Sequence, residues 1–236
     1  MENLARDIRM RLEAQADRRY RSSIGRLVPT GIEIIGVPVP TIRKLARSFA
    51  QDHAGVTMAD LVRLLDRAFA ARCREEVLFA TLLIAARRAE LPFLPWEAVE
   101  SWVGRIEDWE VCDQLATGVI GEIVAGDLAR VDGLVRWARS PGRWRRRAAA
   151  AASTGLNRKG RRYAAEALRI CEPLMTDDDR MVEKAVAWAL RVASGSDGAA
   201  VARFLAEWKG RASPRLLRAG SKKLDAARRH ALLGGG

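Results

Sequence analysis

The sequence predicts an all-α chain built as an array of paired helices. Three observations carry that prediction. Apolar residues recur at spacings of three and four along almost the whole chain, which is the period of an amphipathic helix. Runs of β-branched residues are few, and only 8 prolines interrupt 236 residues. Tryptophans repeat: Trp102 and Trp109 stand seven residues apart, Trp137 and Trp144 do the same 35 residues later, and Trp188 follows 44 residues past Trp144.

The elements follow in order. Leu4, Ile8, Leu12 and Ala16 define a first amphipathic helix. The stretch 29–40 contains Gly31, Gly36, Pro38 and Pro40 and reads as a break; within it, 32–39 is the nearest approach to a strand, but its Gly and Pro favour a loop. Pro40 can open the next helix, with Ile42, Leu45, Ala46 and Phe49 turned inward. Thr57 and Asp60 have the spacing of a capping box, ahead of Leu61, Leu64, Leu65 and Ala68. Further helices are predicted around 72–90, 96–105, 107–124, 127–139, 141–155, 159–173, 177–195, 198–208 and 214–231, and 233–236 should fray. Helix pairs recurring every 35 to 45 residues fit a HEAT-like α-solenoid, 1–236 forming a single repeat domain; chance placement of core tryptophans is the alternative.

Composition excludes several chemistries. The two histidines, His53 and His230, lie at opposite ends of the chain, which argues against a Ser-His-Asp triad or a His-ligated metal. Cys73, Cys112 and Cys171 are odd in number and widely spaced, with no CxxC, so neither a zinc site nor a disulfide framework is expected, and Cys73 and Cys112 read as small core residues. No apolar stretch is long enough for a membrane span and no leader-like segment opens the chain, so a reduced, cytoplasmic protein is expected. No glycine-rich phosphate loop occurs.

Charge is concentrated. The net charge is +12, and 136–169 holds eleven basic residues (Arg136, Arg139, Arg143, Arg145, Arg146, Arg147, Arg158, Lys159, Arg161, Arg162 and Arg169) against Glu166 alone, a net +10. A second basic group comprises Arg215, Arg218, Lys222, Lys223, Arg228 and Arg229, offset by Asp225. Ser140-Pro141 reads as N-cap and first helical residue, which places Arg143, Arg145, Arg146 and Arg147 in the first two turns. Cations there oppose the helix dipole by roughly 0.3–1 kcal/mol each. An anion such as phosphate would make sense of them; a solvated basic face is the other reading. Thr176-Asp177-Asp178-Asp179 shows the opposite arrangement, acids at a helix start, and reads as dipole capping ahead of metal binding. In the helix at 177–195, Val182, Ala185, Ala189 and Val192 can face the core, which leaves Lys184, Trp188 and Arg191 along another face. A tryptophan flanked by cations suits nucleic acid, or is a structural ring covered by aliphatic stems.

One carboxylate stands out. On a helix, Trp109, Asp113, Ala116 and Ile120 share one face, while Glu110, Gln114 and Thr117 form the polar one. Asp113 thus interrupts an apolar stripe, where a charge is costly unless it is paired or has a task. It is either part of a buried ion pair, for instance with Arg147, or a general base or electrostatic stabiliser. A carboxylate beside a developing oxocarbenium ion is the logic of glycoside hydrolysis, here of an N-glycosidic bond in DNA.

These residues resemble the AlkD-like DNA alkylation repair family of HEAT-like repeat DNA glycosylases. The resemblance runs through Gly36-Val37-Pro38-Val39-Pro40 with Arg43 and Leu45, through Trp109 with Asp113, through Trp144-Arg145-Arg146-Arg147-Ala148-Ala149, through Lys184-Ala185-Val186-Ala187-Trp188-Ala189-Leu190-Arg191, and through Ser221-Lys222-Lys223-Leu224. It implies a right-handed α-solenoid that holds double-stranded DNA and excises cationic N3- or N7-alkylated purines. Asp113 matches the catalytic carboxylate, Trp109 and Trp188 the tryptophans flanking the lesion's deoxyribose, and Arg147 the arginine near the lesion. Arg143, Arg145, Arg146, Lys184, Arg191, Lys222 and Lys223 are the expected backbone-phosphate contacts. No cofactor, metal or membrane is implied, and the protein is expected to act as a monomer associated with the nucleoid. Two other readings use the same surface: a non-catalytic solenoid that binds damaged or branched DNA, and a helical scaffold for RNA or an acidic protein.

Overall fold

The structure, a computed structural model, describes residues 2–28, 30–158 and 160–234. Lys159 of the basic segment and Gly235 and Gly236 of the expected frayed end lie outside the described residues. The regular structure of the described residues is helical; an isolated bridge between Glu33 and Cys73 is their sole extended pairing. The chain divides into two compact units, Met1–Val119 and Ile120–Gly236.

The first unit contains α1 (Glu2–Glu13), α2 (Arg18–Leu27), α3 (Val39–Asp52), α4 (Met58–Ala71), α5 (Arg74–Ala86), α6 (Trp96–Gly104) and α7 (Trp109–Leu115). Helices α3, α5 and α7 pack in succession as one layer; α4 and α6 form the other, and α1 lies against α3 and α5. Helix α5 is the centre. After its charged first turn it is apolar on every side, with Val77, Leu78, Phe79, Ala80, Leu83 and Ile84 all buried, as expected of a helix enclosed by neighbours. The capping box at Thr57 forms as expected, each partner's side chain meeting the other's backbone N–H.

The second unit contains α8 (Gly121–Gly126), α9 (Val131–Ala138), α10 (Arg143–Ser153), α11 (Ala164–Cys171), α12 (Arg180–Ala193), α13 (Gly198–Glu207), α14 (Pro214–Gly220) and α15 (Ala226–Leu233). Helices α10, α12 and α14 pack in succession; α9, α11, α13 and α15 do the same behind them. The alanines of 148–152 are completely buried, and their small side chains let α9, α11 and α12 all approach α10. Each unit is therefore a two-layer stack of helix pairs, as the tryptophan spacing predicts. Trp102 and Trp137, the first members of the two pairs, are buried at the ends of α6 and α9. Trp109 and Trp144 open the following helices and are half-buried.

Four expectations need correction. Helix α2 has no counterpart in the sequence reading, because only Ile24 of its residues is buried and no apolar stripe announces it; Asp17 caps it. The helix expected at 214–231 is two helices, since Leu224 turns inward and Asp225 starts a new cap. The helix expected at 159–173 starts only at Ala164, after a turn. Ser140-Pro141 does not open α10: Gly142 is the N-cap, and Ser140 Oγ instead accepts the Gly142 N–H at 3.2 Å.

Candidate functional site

In the first unit the site begins at a buried aspartate. Asp108 is fully enclosed, and its Oδ1 accepts the N–H groups of Glu110 and Val111, both at 2.8 Å, which fixes the start of α7. Burial pushes its carboxyl up from the ordinary value; the bond from Val111 and the Arg74 charge oppose that shift. Trp109 follows as the first helical residue, and its indole N–H donates to the Leu27 carbonyl at the end of α2, 3.2 Å away. Asp113 lies one turn on. Its carbonyl accepts the Thr117 hydroxyl at 2.7 Å, where the backbone widens into a π-helical stretch, Ala116–Ile120.

The face on which Asp113 stands differs from the expected one. Val111, Cys112, Leu115, Ala116, Val119 and Ile120 are buried; Trp109, Glu110, Asp113, Gln114 and Thr117 are half-buried. Asp113 and Trp109 therefore do not share the core stripe with Ala116 and Ile120. They share the accessible side with the residues taken for the polar face. The reason is the packing of α7 against α5, which selects the 111/112/115 side of the helix as its core contact. Gln114 on the same side accepts a bond from Arg43 of α3 at 3.1 Å. A carboxylate beside an aromatic ring on an accessible helix face can meet a solute, which a carboxylate in the core cannot.

In the second unit the arginines at the start of α10 are committed to their own chain. Arg143 pairs with Asp179 at 3.0 Å. Arg146 pairs with Asp177 at 2.6 Å and donates to the carbonyls of Ser140 and Pro141. Arg147 is buried and donates to the Met181 carbonyl. Arg145 is half-buried. The anions that the helix start calls for are thus supplied by the acids preceding α12, where Asp179 also caps by accepting the Met181 N–H at 2.8 Å. The acid run serves as a cap, as expected, and as counter-charge to α10.

The expected face of α12 forms. Val182, Ala185 and Ala189 are buried and Val192 is half-buried. Lys184 is exposed, Trp188 and Arg191 half-buried. Arg191 donates to the Ala219 carbonyl at 3.2 Å, and burial holds its pKa below the ordinary arginine value. Lys222 and Lys223 are exposed on the single turn after α14, anchored by buried Ser221 and Leu224. Sequence reasoning counted Arg158 in the basic segment but assigned it nothing. The structure places its guanidinium 5.1 Å from the centre of the Trp188 ring.

All three cysteines are buried, and burial pushes the Cys73 and Cys171 thiols up to about 12, which suits packing rather than nucleophilic chemistry. Among the described residues no group of three His, Cys, Asp or Glu is placed to hold a metal, and no helix is long and apolar enough to cross a membrane.

Comparison with known proteins bears on the family and the fold. The sequence profile of the family described as DNA alkylation repair enzyme matches residues 8–224. The chain belongs to that family. A solved structure described as a predicted DNA alkylation repair enzyme from Enterococcus faecalis superposes with a TM-score of 0.73, covering 90% of this chain and 98% of that one at 18% identity, and so shares the all-helical fold. No curated protein matches the sequence.

Proposed function

We propose that the protein is a DNA glycosylase that removes cationic N3- or N7-alkylated purines from duplex DNA, with Asp113 as the catalytic carboxylate. One observation carries the proposal: Asp113 stands on the accessible side of α7, one turn from Trp109, whose ring is held by the Leu27 carbonyl. A cationic purine is already a good leaving group and needs no proton from the enzyme. What the reaction needs is negative charge beside the sugar as it becomes an oxocarbenium ion, and a base for the attacking water. One carboxylate can do both. Duplex DNA lying over the half-buried Asp113 would exclude solvent and strengthen its field on the sugar. Trp109 offers an aromatic face to the deoxyribose. In the second unit, Trp188, Lys184, Arg191, Lys222 and Lys223 would supply aromatic and phosphate contacts; the family resemblance makes Arg147 the arginine near the lesion and Arg143, Arg145 and Arg146 phosphate contacts, for which Arg143 and Arg146 would first have to leave Asp179 and Asp177.

The test is release of 7-methylguanine and 3-methyladenine from methylated duplex DNA. Wild type should release both. Asp113→Asn should lose at least about 100-fold in single-turnover rate, the scale of removing one preorganised electrostatic group, while still binding duplex. Release unchanged by Asp113→Asn refutes the assigned role. Binding with no release by wild type supports the non-catalytic DNA-binding reading instead.

A further inference from the structure

Several arginines of the second unit are answered by carboxylates of their own unit. Arg143, Arg146, Arg161, Arg169 and Arg215 each lie within 3.0 Å of a carboxylate, on Asp179, Asp177, Glu122, Asp132 and Glu183 respectively. Arg158 has no carboxylate within ion-pair distance among the described residues, although it is half-buried. Glu122, the acid whose field reaches it, is engaged by Arg161 at 2.9 Å. Arg191 likewise donates to a carbonyl rather than a carboxylate, and Lys184 projects into solvent. A partly desolvated guanidinium without counter-charge is costly unless a ligand supplies it.

The position of Arg158 is built rather than incidental. It follows a tight turn, Thr154–Asn157, that abuts α8 so closely that a Cβ on Gly155 would meet the Gly121 backbone at 2.7 Å. Asn157 donates to the Tyr163 carbonyl at 3.1 Å, Arg161 to the Gly155 carbonyl at 3.0 Å, and Ser196 to the Arg161 carbonyl at 3.3 Å. The turn is therefore tied on both sides of Arg158. The Trp188 ring then holds the guanidinium on the face of α12 that carries Lys184 one turn before and Arg191 one turn after.

We propose that Arg158, held over Trp188, is a phosphate-binding residue that receives a backbone phosphate of duplex DNA together with Arg191 and Lys184. The proposal rests on the DNA-binding part of the function above and assigns a role to a residue outside it. The cation–π contact aligns the guanidinium in advance, so that its N–H fork can grip a phosphate with little loss of side-chain freedom. The carboxylate-paired arginines would have to give up an internal partner to do the same.

The experiment measures binding of a fluorescein-labelled, undamaged duplex by fluorescence anisotropy from about 50 to 200 mM salt, using the full chain. Arg158→Ala should weaken binding about tenfold and reduce the slope of log affinity on log salt by about one, the signature of one lost phosphate contact. Arg158→Lys should keep the wild-type slope, and Arg169→Ala, which removes a cation already paired with Asp132, should leave both unchanged. Thermal unfolding of each variant separates folding from contact: a purely structural Arg158 would lower the melting temperature without changing the slope. An unchanged slope in Arg158→Ala overturns the proposal, as does one that changes equally in Arg169→Ala. Wild type that binds duplex without salt dependence overturns it together with the DNA-binding reading. Salt-sensitive binding without base release removes only the glycosylase assignment.

Discussion

Compare the helix that begins at Trp109 with the one that begins at Arg143. Both follow a helix ending in a buried tryptophan, both carry a half-buried tryptophan in their first turn, and both open with an arginine–carboxylate pair to a neighbour of the same layer. In the first unit, Arg74 at the start of α5 meets Glu110 at the start of α7. In the second, Arg143 and Arg146 at the start of α10 meet Asp179 and Asp177 just before α12. The device recurs once more with its charges exchanged, Glu183 of α12 meeting Arg215 of α14. Helices of one layer carry like ends side by side, so an arginine that opposes one dipole can be answered by an acid that suits the next. The difference lies in burial. Arg74 and Glu75 are wholly enclosed, while the side chains of Arg143 and Arg146 keep 56% and 18% of their exposure. An arginine at a helix start is thus not in itself a sign of bound phosphate, since acids of its own chain can answer it.

Burial sets the order of the effects that would break this comparison. The largest is expected at Arg74. It bonds Glu75 at 3.2 Å, and Glu75 in turn accepts the N–H groups of Ile35, Gly36 and Val37 at 3.0–3.4 Å, which fixes the loop entering α3. That loop needs its glycine: Gly36 has φ +100°, and a Cβ there would stand 2.6 Å from the Arg21 Cβ. Arg74→Met leaves Glu75 buried without its cation and should cost about 3–5 kcal/mol in urea unfolding. Arg146→Ala, in a pair with some solvent access, should cost about 1–3 kcal/mol by the same measurement, and Arg143→Ala under about 1 kcal/mol. Equal costs at Arg74 and Arg143 would show that burial does not separate the two helix starts.

The sequence made the layered helices legible because the buried residues of α3, α4 and α12 recur at helical spacing, and Thr57 with Asp60 announces its own cap. It did not reveal α2, where Ile24 alone meets the core, nor the break at Leu224, where one inward leucine ends a run that is otherwise continuous. At the candidate site, spacing drew notice to Asp113 and Trp109 but set them on the core stripe, since the choice between two helix faces is made by α5. The pairing of Arg143 and Arg146 and the stacking of Arg158 on Trp188 depend on residues 30 or more positions away, and a tally of charges along the chain carries no trace of them.

The smallest effect sharpens the comparison through pH. Burial pushes both Asp108, in the first unit, and Glu183, in the second, toward the protonated form. For Glu183 the bonds from Arg215 and Ser213 outweigh burial and hold its pKa below the ordinary value; for Asp108 burial prevails and its pKa is raised. The signs then oppose. Glu183 contributes stability that is present above its unfolded value, 4.5, and is lost as the pH falls through its folded value. Asp108 binds its proton more tightly folded than unfolded, so its contribution declines as the pH rises from its unfolded value, 3.8, through the raised one. Urea unfolding at intervals between about pH 3 and 6 should therefore show Glu183→Gln flattening the loss of stability on acidification. Asp108→Asn should steepen that loss, because it removes a contribution that runs the other way. Parallel pH profiles for the two variants would mean that the partners around Glu183 do not set it apart from the buried cap of α7.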